Sequence, residues 1–327
     1  MTMPQAAGAD PARYATAMDD ALERLWDVGF EFGPDFAAHA PMTAEALATL
    51  DHPDEVPSWI ELNRRRRRYY APPSPVEPIP EDDPAARRAA LGDYRRVADW
   101  VAYFDRRLAE GPWQDVVVEW WPVLLDGAFA AFTHGLIRTA HAVRTLRTVP
   151  RPSPLQLNEL ARGLAYWAAR YTPLGVPAGP RRGAVTAAEQ VPAALSELTA
   201  ANAGRYAERA PRPPVPAVHA ITAPAAIRLV LPILPDGLWV RSYATAEALA
   251  ARVWAAAPGG GSAPGRSRPA GDPAPMDELV ADAVEIGEEH AIKLAEACLR
   301  EHALRPDERY AAAAHTLNVN CRHTGGF

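Results

Sequence analysis

Lysine is almost missing from this chain. Lys and Arg together number 34 in 327 residues, and Lys293 is the one lysine, which leaves 34 − 1 = 33 arginines. Cysteine is scarce too: Cys298 and Cys321 are the two present. Two cysteines make no disulfide framework, so a reducing, cytoplasmic setting is expected. The first residues, "MTMPQAAGADPARYATAM", lack the basic start and apolar core of a signal peptide. No uncharged apolar run nears the roughly 20 residues that cross a bilayer, so no membrane association is expected. A net charge of −6 gives no general affinity for nucleic acid. The run "NRRRRRYY" (63–70) has acidic or prolyl flanks and no interleaved aromatics, so it reads as a solvated helix end. Also missing are G-x-G-x-x-G at a strand–helix junction, G-x-S-x-G, H-E-x-x-H and C-x-x-C, and "GGGS" (259–262) lacks the features of a phosphate loop.

What the chain does have is helical periodicity. "RYATAMDDALERLWDVG" places Tyr14, Met18, Leu22 and Leu25 on one face, with Gly29 suited to a cap. Thr43 opens a second helix, and "VPSWIELNRRRRRYY" forms a short one before the proline-rich "APPSPVEPIPEDD". Residues 84–110 read as one amphipathic helix. Residues 113–146 are the most hydrophobic stretch and predict a buried central helix pair, kinked or divided at Pro122. Helices are expected over 154–171 and 187–207, shorter ones over 222–235 and 244–256 with breaks at Pro224 and Pro232, and a long C-terminal helix over 277–303. The one strand candidate, "IRLVLPILPDGLWVRSY", is weakened by its prolines. The expectation is an all-α protein: a flexible N-terminus (1–13), then a single helical domain (14–327) with a mobile Gly/Pro-rich loop at 257–276.

Several histidines sit in apolar surroundings. His134 and His141 are seven apart in "FTHGLIRTAHAV", on one helical face, with Arg138 between them. Their alpha-carbons lie about 10 Å apart along a helix, so both reach one ion only if it sits between them; core histidines bonded to backbone fit the same pattern. His290 and Lys293 share a stripe with Ile286, Leu294 and Ala297, and Glu288, Glu289, Glu296 and Arg300 are assigned to the other side. A lysine buried without a partner loses its charge. The neutral amine can then act as a base, form a Schiff base or take up carbon dioxide as a carbamate; snorkelling to solvent or pairing with Glu289 or Glu296 is the plainer reading. His39 and His219 each precede a helical segment and read as ligands or capping residues. His52, His302, His315 and His323 occupy exposed, polar or terminal contexts.

Four stretches, "FGPDFAAHAPMTAEAL", "EWWPVLLDGAFAAFTHGLIRTAHAVRTL", "VHAITAPAAIRLVLP" and "EEHAIKLAEACLRE", together resemble the questin oxidase-like family, in family order over about residues 20–303. The family includes fungal enzymes that open anthraquinone rings. The resemblance implies a helical, mononuclear non-haem iron(II) oxygenase whose metal is held by histidines and a carboxylated lysine. On that basis His39, His134 and His290 match family histidines, Lys293 matches the lysine, and His219 is the fourth histidine ligand. Where fungal members have a second histidine this chain has Arg138, so either His141 takes that role or Arg138 turns outward or binds substrate. Ala38 stands where the family has Asn. Trp120, Trp121 and Phe132 are expected to line the pocket, with Trp120 and Arg138 as catalytic candidates. The implied partners are dioxygen and an aromatic polyketide whose ring is cleaved. The reading admits NADPH as a cosubstrate and a homodimeric assembly. The alternative is a Baeyer–Villiger-type monooxygenase using NADPH without a bound metal; a non-catalytic helical binding module ranks last.

Overall fold

The computed structural model describes residues 10–175, 185–209, 214–257 and 273–324. Among these residues are fourteen α-helices, five short 3₁₀ helices and one two-stranded hairpin, an all-α domain as expected. Asp10 caps α1 (Pro11–Arg24) by accepting from Ala12 N at 3.0 Å, and proline at the first helical position suits that start. Residues 10–13 therefore belong to the helical body, and of the expected flexible N-terminus residues 1–9 lie outside the described residues. The hairpin β1 (Glu31–Phe32) and β2 (Phe36–Ala37) turns through Gly33 and Asp35, both at positive φ, and delivers the chain to His39 at the start of α2 (Ala40–Thr49).

After α3 (Val56–Arg66), the expected helix over 84–110 is two, α4 (Pro84–Ala90) and α5 (Val97–Glu110), because Gly92 at φ +78° ends the first. The hydrophobic stretch 113–146 also divides, but Pro122 lies inside α6 (Trp113–Leu125) and the break is at 126–133, before α7 (His134–Thr148). Next come α8 (Pro154–Ala169), with a Ser153–Gln156 capping box, and α9 (Val191–Arg209). α10 (Val215–Val230) starts seven residues before the expected 222 and runs through Pro224; α11 (Trp239–Ala256) follows. The expected strand candidate is thus helix and turn. The expected single helix over 277–303 breaks at Gly287 (φ +69°) into α12 (Met276–Ile286) and α13 (Glu289–Leu304), and α14 (Glu308–Thr324) was not foreseen. Most of the 257–276 loop, residues 258–272, lies outside the described residues.

The buried central pair is α7 with α10, not the two halves of 113–146. Every residue from His134 to Leu146 is buried, as is every residue from Ala217 to Val230. One core packs α5, α6, α7 and α8 around Trp100, Tyr103, Phe104, Trp121 and Trp167; a second gathers α9, α10, α12, α13 and α14 around Tyr206, Ile221, Leu294 and Tyr310. Val215–Ile233 is long and apolar enough to cross a bilayer, yet it is mostly buried inside the protein. It also carries Arg228, whose Nε donates to both oxygens of Glu301 at 3.0 Å. Burial against other helices accounts for its apolar character.

The break before α7 is strained. Ala131, Phe132 and Thr133 have φ of 44°, 55° and 74°, a left-handed run without glycine. Each such residue costs roughly 1–2 kcal/mol. Replacing Ala131 by glycine relieves one of the three. The Ala131→Gly protein should melt at or above the wild-type temperature, whereas Ala102→Gly within α5 should lose about 1 kcal/mol. A clear drop in melting temperature for Ala131→Gly would show that this backbone is not strained in the native state.

Candidate metal centre

Four helices point their N-terminal ends at one place. His39 immediately precedes α2, His134 is the first residue of α7, His219 lies in the first turn and a half of α10, and His290 is the second residue of α13. Their rings form a closed set: centroids are 4.6 Å apart for His39–His134, 4.4 Å for His39–His290, 4.6 Å for His134–His219 and 5.7 Å for His219–His290. All four are buried. Phe132, on the strained turn, seats its ring edge-on to His219 at 5.2 Å.

Hydrogen-bond partners fix the ring tautomers. His134 Nδ1 lies 2.5 Å from Ala131 O, and His219 Nδ1 lies 3.2 Å from Pro216 O. A carbonyl can only accept, so both Nδ1 atoms carry the proton. Burial, and then neighbouring Lys293, pushes His134 down to about 3; burial, then His134, pushes His219 well below its ordinary range. Both shifts favour the neutral ring, and in a neutral ring protonated at Nδ1 the Nε2 is a bare lone pair. Those two Nε2 atoms face each other at 3.1 Å. No proton lies between them to share, and two lone pairs at this distance repel. A cation beside both removes the repulsion: two nitrogens at right angles about an ion at roughly 2.1 Å are roughly 3.0 Å apart.

His290 adds a third open nitrogen. Glu288 Oε1 accepts from its Nδ1 at 2.8 Å, and His290 Nε2 is buried with no hydrogen-bond partner among the described residues. The other oxygen of Glu288 caps α13, accepting from His290 N at 2.7 Å and Ala291 N at 2.9 Å. Burial alone would raise the Glu288 carboxyl, but His290 and these amides hold it below its usual range. One nitrogen from each of His39, His134 and His290 lies within 4.8 Å of the others, a spacing that could hold a metal ion. The carboxylate–histidine arrangement of Glu288 is the outer support that metal-binding imidazoles commonly have.

Lys293 closes the set. Its Nζ lies 3.3 Å from His39 Nδ1, and it is 5% exposed. Burial lowers its pKa to about 8, against the pull of Glu289 and Glu288. A substantial fraction is thus the neutral amine near pH 8. Glu289 approaches the same nitrogen, its Oε1 3.5 Å from His39 Nδ1; Asn63 Nδ2 and Arg67 Nη2 each donate to Glu289 at 3.0 Å, and Tyr69 OH donates to Asn63.

Glu288, Glu289 and Glu296, expected with Arg300 on the side away from the His290–Lys293 stripe, do not face solvent there: all three are buried, because α13 is covered on both sides. His141 does not join the rings. Its Nδ1 is 2.6 Å from Glu45 Oε2, in a buried chain where Arg144 bridges Glu45 to Glu296, Arg300 joins Glu296 to Glu301, and Arg228 binds Glu301. Arg138 turns toward α8, where its Nε and Nη2 each donate to Glu159 at 2.7 Å. It lines a small pocket with Leu22, Trp26, Ala38 and Pro41. Trp120 packs edge-on against Trp100, Tyr103 and Phe104 in the α5–α6 core, and Trp121 against Trp167. Of the three aromatics expected at the pocket, Phe132 is the one placed against a histidine.

No protein-family model matches this chain, and no curated protein does either. The site thus rests on its own geometry and on the motifs that point to it. Sequence reasoning missed Glu288 and Glu289; the signal was "GEEH", a Gly that ends one helix followed by an acidic residue that caps the next.

Glu288→Gln keeps a polar group at the cap but removes the charge that orients His290. Affinity for a divalent transition metal, measured by competition against a chelator, should fall about 10–100-fold. Unchanged affinity would remove Glu288, and with it His290, from the metal-binding arrangement.

Proposed function

We propose that this protein is an iron-dependent oxygenase that opens a ring of a polycyclic, anthraquinone-type aromatic by cleaving a carbon–carbon bond. His39, His134, His219 and His290 would hold the metal together with a carboxylated Lys293. The observation that carries the reading is the pair of His134 and His219 Nε2 atoms, buried and facing each other at 3.1 Å while both Nδ1 atoms are committed to backbone carbonyls. The donor set fits ferrous iron: imidazoles and one anionic oxygen ligand suit that ion. Iron, when bound, would supply the one-electron chemistry that activates dioxygen.

The remaining work falls to the chain's own residues. Ala131 O, Pro216 O and Glu288 hold protons on the Nδ1 atoms of His134, His219 and His290, which keeps each Nε2 directed inward. Lys293 supplies the nitrogen on which carbon dioxide forms a carbamate. Arginine could not replace it there, since a guanidinium stays protonated. Phe132 and the surrounding helices keep water from the rings. The substrate class follows from the motif resemblance.

The test is protein expressed with iron supplementation, its metal content measured after purification, and turnover measured with a hydroxyanthraquinone under air. About one iron per chain is expected, and Lys293→Arg should retain less than about a tenth of the metal and of the turnover. Wild-type protein without stoichiometric metal, or full metal and activity in Lys293→Arg, would overturn the reading. A metal-free protein whose turnover requires NADPH would replace it with Baeyer–Villiger-type chemistry.

A further inference from the structure

Beneath the histidine layer lies a second chamber that shares Lys293 with it. A small cavity is walled by Ile137 and His141 of α7, Thr222 and Ala226 of α10, and Lys293 and Ala297 of α13. These pairs follow His134, His219 and His290 by three and by seven residues. They therefore lie one and two turns along the same helix faces, roughly 5 and 10 Å deeper. The cavity is stacked on the ring cluster, and Lys293 belongs to both layers: its Nζ is 3.3 Å from His39 Nδ1, and its side chain lines the cavity.

The polar groups of this chamber are unevenly engaged. Glu296, which also lines it, is taken by Arg144 and Arg300. Arg300 uses Nε on Glu296 and Nη1 on Ala225 O and Glu301, which leaves Nη2 with no partner among the described residues. His141 gives Nδ1 to Glu45, which leaves Nε2. Its lining residues thus include a lysine, an imidazole and a guanidinium with polar atoms to spare, beside one carboxylate that is satisfied. Ile137, Ala226 and Ala297 close the rest with apolar surface and limit the size of what enters. Such a chamber suits a small, planar, oxygen-rich anion and its uncharged dehydrated form.

We propose that this chamber binds bicarbonate or carbon dioxide and loads Lys293 from the side opposite the histidine rings. The proposal rests on the reading of Lys293 as the carboxylated ligand. In the loading step the nitrogen lone pair of the neutral amine forms an N–C bond to the carbon of carbon dioxide. One C=O π pair becomes the oxyanion lone pair, and the proton displaced from nitrogen leaves with water at the mouth of the chamber, where Arg300 is partly exposed. No oxidant or reductant takes part. The new oxyanion then lies on the arm that reaches the ring cluster.

The experiment uses the full chain reconstituted with zinc, a closed-shell ion that leaves carbon NMR signals sharp. ¹³C-bicarbonate is added and the initial rate of carbamate signal growth is followed. Lys293→Ala identifies the signal. Ala226→Leu, which fills the chamber without touching the rings, should slow loading at least tenfold. Arg300→Gln, at the partly exposed mouth, should slow it severalfold and carries the same test if the leucine variant does not fold, as judged by circular dichroism. Wild-type loading rates in both folded variants would overturn the chamber while leaving the carboxylated lysine intact. A wild-type protein with no Lys293-dependent signal would overturn both the chamber and the ligand assignment.

Discussion

Two imidazole nitrogens that face each other without a proton between them are the constraint around which the interior is organised. The arrangement is unfavourable by itself, yet each part of it is held from outside. His134 is locked by the carbonyl of Ala131, which sits on a left-handed turn that L-residues avoid. His219 is locked by Pro216 in the first turn of a helix buried all round. Two ring nitrogens held 3.1 Å apart, with the His39 and His290 rings beside them, form a cluster that could hold a cation.

Electrostatics point the same way. The N-terminal ends of α2, α7, α10 and α13 converge there, and each brings partial positive charge. Glu288 and Glu289, beside His290 and His39, offset that charge. One layer deeper, the same four helices are joined by three carboxylates, Glu45, Glu296 and Glu301, alternating with three guanidiniums, Arg144, Arg300 and Arg228. The formal charges cancel along the chain. Breaking one member would leave a neighbour buried and unpaired, typically a loss of about 3–5 kcal/mol. This network fixes the register of the four helices, and the register places the histidines.

Much of this was legible in the sequence because helical periodicity and composition are local signals. The all-α class, most of the helices and the stripe shared by His290 and Lys293 follow from spacing, and a lone lysine among arginines marks itself. What sequence missed depends on tertiary contacts. Glu288, Glu289 and Glu296 look like a solvated face until Asn63, Arg67 and Arg144 arrive from α3, its C-terminal end and α7. His141 and Arg138 share a helical face with His134, but Glu45 and Glu159, distant in sequence, draw them into other contacts. The left-handed turn at Ala131–Thr133 carries no glycine to announce it. Trp120 looked like a pocket residue because it lies in the most hydrophobic stretch, where packing explains it instead.

The most direct measurement is an X-ray structure of crystals grown from iron-supplemented, bicarbonate-equilibrated protein, with anomalous data collected at the iron edge. The account predicts one strong peak within bonding distance of the His134, His219 and His290 Nε2 atoms and of a His39 ring nitrogen, and density extending beyond Lys293 Nζ as a carbamate. A peak on Glu288 and Glu289 instead, or no peak between the His134 and His219 nitrogens, would contradict it.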